Sequence, residues 1–412
     1  MAQMKEDEIQ GAVKNAIEAA IDYVDTSIRE DRERAQKYFD GAVDLSHEEG
    51  RSKVVSTKVR DVVRGAKPGL MRVFLNNDKF VEFIPKGVED VANAEQATAY
   101  THWVFDKVGG YNVLSNAIHD SLVKKVGIVK VWWNNSTIAE SHTYENLSDD
   151  EVEMLVSDDE VEIIEHSQEL TMEMDEMGME VSRNVHSMLI SHKYEEGEMV
   201  VEGIPPEEFF IDGSAKSIDD AYIVCHKAEK RAGDLVAMGF DQDVIDGLVG
   251  EDDNSENEGE EKLLRFGESV DSTDEEINDP SMRSIIVTEA YLKIDIEGDG
   301  VPTLHKFLCG GTNYQILEQE PWDKVPFADF HVDPEPHAFY GRSLAELVMN
   351  DQDTTTSVLR GILDNVALVN TPRLEVNEDL INIDDVLNNE IGAVIRSEQI
   401  GSVNPLVVPF VA

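Results

Sequence analysis

The chain has 412 residues, with 35 Lys and Arg against 85 Asp and Glu and a formal net charge of -50. That length provides for two or three globular units with ample core, and the charge excludes a fold that wraps nucleic acid in a basic glove. With only Cys225 and Cys309, and no apolar run near the roughly 20 residues that cross a bilayer, a disulfide framework and a membrane span are excluded and a reducing compartment is expected.

The N-terminal MAQMKEDEIQ lacks the apolar core of a signal peptide. Over residues 6–39, Ile9, Val13, Ile17, Ile21, Val24 and Ile28 recur at steps of three and four, the stripe of an amphipathic helix packed on a core. Its polar face is acidic and then mixed, unlike the cationic face of a membrane-surface helix. Residues 50–74 form a basic island with Arg51, Lys53, Lys58, Arg60, Arg64, Lys67 and Arg72. Pro68 and Gly69 are expected to break its helical pattern. Arg51, Lys53, Lys58, Arg60 and Arg64 are a candidate patch for DNA or for another subunit; the plainer reading is a helical face paired with nearby acids.

VEFIP (81–85) reads as a strand ending in proline, 88–108 and 113–125 as helices, and GIVKVWWNN as a buried strand with Trp132 and Trp133 in the core. Two acidic stretches, about 147–182 and 250–280, read as insertions. The first is a short helix before an alternating hairpin, and the second a surface loop. His166, His186 and His192 lie in strand-like text without metal-ligand spacing and read as surface or cross-strand residues. IPPEEFFID is extended, and AYIVCHKAEK is a strand leading into a helix at about 231–238. SIIVTEAYLKIDIEGDGVPTLHKFLCGG gives two alternating runs joined at GDG, a hairpin signal.

Motifs for chemistry are incomplete. DIEGDG places Asp295, Glu297, Asp299 and Gly300 like the opening of a calcium loop, but Lys306 stands where the loop needs its bidentate Glu. HVDPEPH offers His331, Asp333, Glu335 and His337, which two prolines hold extended, so that alternate side chains diverge. GSAKS at Gly213 lacks the glycine loop of a phosphate site, and GxGxxG, HExxH and GxSxG are missing. No enzyme activity, metal or cofactor is expected. The alternative function that composition leaves open is an acidic scaffold that binds divalent cations.

In HAFYGRSLAELVMNDQDTTTSVLRG (337–361), Ser343 and Glu346 form a capping box that starts a helix, which Asn370, Thr371 and Pro372 end. Leu344, Leu347, Val348, Thr355, Val358, Leu359, Ile362, Leu363 and Val366 trace an apolar stripe. Glu346, Asn350, Asp353, Ser357, Arg360 and Asp364 trace a polar one. A helix this long, roughly 40 Å, suits a wall with its apolar side toward neighbours and its polar side toward solvent or a lumen.

The ordered series VSTKVRDVVRGAKPGL, FIP, GIVKVWW, IPPEEFFID, EAYLKIDIEGDG, PFADFHVDPEPHAFYGRSLAELVMNDQ and NTPRLEV resembles the portal proteins of short-tailed, double-stranded DNA bacteriophages, over about 50–375. The resemblance implies an α+β fold: an α/β wing with β-hairpins over 1–336, a first stem helix with its lead-in over 337–372, and a small clip-like segment over 373–412. It also implies a second stem helix and crown, which are absent from this chain as it stops at Ala412; a fragment, or a separate polypeptide carrying them, is expected. Further implied are a ring of usually twelve copies at one capsid vertex, DNA driven through its channel by the terminase motor, and no ATP hydrolysis by the ring itself. Glu346, Asn350, Asp353, Ser357, Arg360 and Asp364 become channel-facing candidates. Arg373, Glu375, Asp384, Asp385 and Arg396 become candidates for contact with the terminase large subunit and then the head-to-tail adaptor. Major capsid and scaffolding proteins are the other implied partners, and the implied location is the virion, after assembly in the host cytoplasm.

Overall fold

The N-terminal stripe folds as a single helical rod. In the computed structural model, which describes residues 4–45, 49–75, 81–156, 161–174, 180–249, 279–388, 393–406 and 409, helix α1 (Glu6–Val24) passes through a π turn (Asp25–Arg29) into α2 (Glu30–Asp40). Its buried side includes Ile9, Val13, Ile17, Ala20, Val24, Ile28, Arg32 and Ala35. From Ala20 to Arg32 these positions are four apart, and steps of four drift by about 40° each on an ideal α-helix. The wider π turn takes up that drift and keeps one face on the core. Gly41, at φ 74°, then ends α2 in a left-handed conformation that a glycine adopts at no steric cost.

Helix α3 (Lys58–Leu75) continues through Pro68 and Gly69, where the sequence pattern predicts a break. Val59 and Val63 before the proline and Met71 after it are all buried, in one cluster with Ile118, Leu122, Ala345 and Met349. At about 1.5–3 kcal/mol for each buried side chain, the cluster outweighs the roughly 3 kcal/mol that an interior proline costs.

The remaining elements in chain order are α4 (Val91–Lys107), α5 (Gly110–Lys124), β1 (Gly127–Leu147), α6 (Asp149–Val156), β2 (Val161–Met174), β3 (Glu180–Ile204), β4 (Phe209–Ile211) and β5 (Ile223–Arg231). After them come α7 (Ala232–Ala237), α8 (Gln242–Val249), β6 (Ser284–Ile294), β7 (Thr303–Gly310), β8 (Gln315–Pro321), β9 (Phe327–Phe330), α9 (Leu344–Asn370), β10 (Leu374–Val376), α10 (Ile383–Leu387) and β11 (Val403–Pro405). The fold is α+β. It divides into two compact units, one of Met1–Phe80, Asn112–Ile128 and Gly203–Ala412, the other of Val81–Tyr111 and Val129–Glu202. Residues 1–336, a single wing in the sequence expectation, thus contribute to both.

The first unit is built on an antiparallel sheet ordered β4-β5-β6-β7-β8. The GDG hairpin forms where its alternation places it, with Ile294 opposite Thr303. The stripe of α1 packs on this sheet through Phe209, Ile211, Val224, Tyr291 and Phe307. A smaller cluster joins Ala232, Leu235, Ile245 and Leu248 to Ile285, Val287 and Leu308.

In the second unit the long strands are ordered β2-β3-β1. The β2–β3 hairpin pairs Val161 with His192 and Met174 with Glu180, as the alternating text predicts. VEFIP is extended but joins no strand; Phe83 N–H donates to Thr98 Oγ1 and the Val81 carbonyl meets His102 Nε2, so the segment lies on α4 instead. The two tryptophans of β1 do not share the core. Trp132 is half-buried with Lys130 Nζ 4.9 Å from its ring centre, while Trp133 is 56% exposed. Successive strand residues face opposite sides, so adjacent tryptophans cannot both point inward. Residues 251–278, most of the second acidic insertion, lie outside the described residues.

Candidate functional site

Helix α9 starts where the capping box sets it: Glu346 N–H donates to Ser343 Oγ at 3.1 Å and Ser343 N–H to Glu346 Oε2 at 3.0 Å. Just before it, a Cβ on Gly341 would stand 2.3 Å from the Asp333 carbonyl, which also accepts the Arg342 N–H at 2.9 Å. The glycine supplies room for two backbones to pass. Lys125 anchors the first turn, its Nζ lying 2.7 Å from Asp31 Oδ2 and 3.0 Å from Glu346 Oε1.

The buried seam of α9 is Ala345, Met349, Gln352 and Thr356. It runs between the two stripes traced in the sequence, so each packs only along one edge, the apolar one through Leu344 and Val348. Apolar Leu347, Val358, Ile362 and Val369 are 51, 58, 38 and 40% exposed. The polar stripe is turned largely onto the chain itself. Gln352 Oε1 accepts the Val59 N–H (2.9 Å) and Thr356 Oγ1 that of Ser56 (3.1 Å). Arg360 Nε donates to the Val54 carbonyl at 2.8 Å, with its other nitrogens at 3.3 Å from Leu45 O and 3.4 Å from Lys53 O. Asp364 Oδ1 accepts the Ser52 N–H at 2.7 Å, and its other oxygen lies 3.9 Å from Arg51 Nη1.

Gln352, Thr356, Arg360 and Asp364 thus form a ladder with rungs four residues apart, holding the backbone of a non-helical strap over 52–57 and the first turn of α3 at Val59. The geometry matches. Ser52 to Ser56 spans about 13 Å of extended chain, and Asp364 to Thr356 about 12 Å of helix, so one strap residue pairs with every two on the helix. Gln352 Nε2 also donates to the Tyr38 carbonyl at 3.1 Å, and Tyr38 O–H to Asp353 Oδ2 at 2.9 Å. Burial first, and then that carboxylate, push the Tyr38 hydroxyl above its usual pKa. Of the six channel-facing candidates, only Asn350 and Ser357 are fully on the outer surface. Glu346, Asp353, Arg360 and Asp364 have partners within the chain. Two ladder residues, Gln352 and Thr356, are not in the sequence reading at all; the step-of-four series shared with Arg360 and Asp364 is the signal that could have marked them.

The basic candidates also separate. Arg60 caps the end of α2 through the Phe39 and Asp40 carbonyls (2.9 and 2.6 Å), and Arg51 faces Asp364. Lys53, Lys58 and Arg64 are exposed. In the 373–412 segment, Arg396 grips Asp385 through Nε and Nη2 at 2.7 and 2.9 Å, holding the carboxyl down at about 2. Glu375 lies on β10 opposite Asn404, while Arg373 and Asp384 are exposed. This segment buries no apolar side chain among its described residues: Leu387, Val394 and Ile400 are 72, 79 and 100% exposed.

The ion-site candidates do not converge. The Asp295 carboxylate accepts N–H groups from Gly298, Asp299 and Gly300, which commits its oxygens to closing the turn. His331 Nε2 lies 2.9 Å from Asp329, whereas Glu335 pairs with Arg342. His166 Nε2 meets His186 Nδ1 at 2.8 Å across the β2–β3 hairpin, with His186 buried. Among the described residues no three His, Cys, Asp or Glu are grouped to hold a metal, and no helix is long and apolar enough to cross a membrane.

The sequence model of one family, described as the phage SU10 portal protein, matches residues 9–412. The chain belongs to that family. It is a phage portal protein in the general sense: a structural component of the virion at the capsid vertex, of a non-enzymatic family that self-assembles and serves DNA packaging. The long helix and the strap it carries are therefore parts of a portal chain.

Proposed function

We propose that the chain is one subunit of a closed ring of twelve copies at a single vertex of the capsid, through whose channel double-stranded DNA is packaged, retained and later ejected. In this reading α9 is a stem helix of the channel wall. Residues 373–412 form the clip, which meets the terminase large subunit during packaging and the tail adaptor afterwards; capsid and scaffolding proteins contact the ring during assembly in the host cytoplasm.

The observation that carries the reading is the outer surface of α9. Turning about 100° per residue, Leu347, Val358, Ile362 and Val369 form an exposed apolar strip with Asp351 as its one charge, beside an uncharged strip of Asn350, Thr354, Ser357 and Gly361. The apolar strip suits the neighbouring copy. The uncharged strip suits the lumen, where cations would add drag on DNA and anions would repel it. The exposed apolar side chains of the clip-like segment support the same reading, because a two-stranded ribbon without a core needs a partner to be stable. Negative-stain microscopy and native mass spectrometry of the purified chain test it: rings with a central hole are expected, and monomers alone at high concentration would refute it.

A further inference from the structure

The contact between ring neighbours requires two different surfaces to match, because a head-to-tail interface that closes a ring is heterologous. For a chain of net charge -50, most pairings of surface with surface are repulsive. Many of its cations are already neutralised within the chain: Lys124 by Glu207, Lys125 by Asp31 and Glu346, Lys306 by Glu318 and Glu320, and Arg396 by Asp385. The outer face of α3 differs. Lys58, Arg64 and Arg72 are exposed there and have no ion pair among the described residues, and Asp61 is the single acid on the helix.

The shape of this face suits a folded partner. Gly65 and Gly69 lie between the cations, and a Cβ at either would meet nothing within 4 Å. Pro68 adds no long side chain, so the floor between the cations is low and a partner backbone can come close. Beyond Gly69 the face continues into Val73, which is 76% exposed. Arginine beside exposed apolar surface is the composition of a protein contact. A surface that guides DNA would instead multiply phosphate contacts and drag.

We propose that Lys58, Arg64 and Arg72 on α3 form the basic half of the contact between adjacent copies, seated on an acidic surface of the neighbour; this rests on the ring reading above. The patch read from the sequence is thereby narrowed: Arg51 and Arg60 serve the chain's own fold, and Arg72 joins.

The full chain carrying K58E, R64E and R72E tests the assignment, with circular dichroism to verify folding. The expected result is an intact fold with half-assembly shifted to at least about tenfold higher protein concentration. Wild-type rings should also loosen between low salt and 0.5 M NaCl, as screening shortens to a few ångström. Should charge reversal disturb folding, the glutamine triple K58Q, R64Q and R72Q is read in the same way with a smaller shift. Rings of either folded variant at the wild-type concentration would overturn the assignment while leaving the ring reading intact. Normal assembly with weakened retention of double-stranded DNA on a filter would overturn it in favour of a DNA contact. A wild-type chain that forms no ring would remove both readings together.

Discussion

Replacing Gln352 with methionine keeps the length and shape of a fully buried side chain and deletes both of its hydrogen bonds. The Val59 N–H lies in the first turn of α3, where no intrahelical carbonyl reaches it, and Val59 is 0% exposed. Stranding that donor costs about 1–3 kcal/mol. The Tyr38 carbonyl keeps a weaker bond from Gly41 N–H at 3.3 Å, so its loss is nearer 0.5–1.5 kcal/mol, roughly the net worth of one ordinary bond. Together Gln352→Met should destabilise by about 2–4 kcal/mol, lowering a urea midpoint by about 1 M for an m-value of a few kcal/mol/M. Hydrogen exchange should quicken at Val59 and along the strap, since the first rung of the ladder is gone. Ser357→Ala, on the outer surface of the same helix, is the matched control and should stay within about 0.5 kcal/mol. A Gln352→Met midpoint equal to that of the control would refute the view that the ladder holds α9 to α2 and α3.

Two further outcomes follow from ionisation. The Arg396 guanidinium holds the Asp385 carboxyl at about 2, below its unfolded value, so its contribution to the clip-like segment is complete above about pH 4 and is lost as pH falls through about 2. In Arg396→Met the carboxyl should titrate in the ordinary range, which carboxyl-resolved NMR would register; an unchanged titration would discount the ion pair as the cause. Burial pushes the Cys309 thiol up to about 12 and that of Cys225 further still. Both should therefore resist iodoacetamide at pH 8 in the folded chain and react once urea exposes them; stoichiometric labelling of folded protein would contradict their burial.

Much of the fold was legible because its signals are local. The stripe of α1, the GDG hairpin and the Ser343–Glu346 capping box each lie within a few turns of sequence, and each forms at its expected place. Pro68 misled because its local penalty is overridden by Val59, Val63 and Met71, whose partners Ile118 and Met349 are remote in sequence. The polar stripe of α9 misled for a related reason. Periodicity identifies the amphipathic axis of a helix, but polar residues count as outward-facing only when no backbone needs them. Here the strap has no sheet to pair with, and its N–H and C=O groups need partners. Gln352, Thr356, Arg360 and Asp364 provide them; their step-of-four spacing marks them as one row, but it does not say that the row meets a strap some three hundred residues earlier.

The ladder bears on how so acidic a chain could assemble. Helix α9 carries five charged residues, Glu346, Asp351, Asp353, Arg360 and Asp364, and four of them are engaged with the chain's own Lys125, Tyr38 and strap. Only Asp351 is left on the outer surface. Two copies brought together along α9 would therefore meet mainly through apolar and uncharged groups, with Asp351 the one charge among them, although each copy carries a net charge of -50. Repulsion between exposed charges fades beyond about 10 Å at moderate salt, so what matters at a seam is the charge near the seam rather than the total. On this argument, releasing the strap would do more than loosen one segment. It would return Arg360 and Asp364, one charge of each sign, to solvent and put two hydrated ionic groups on the wall that a neighbour must desolvate, so strap mutants should impair assembly even where the monomer remains folded.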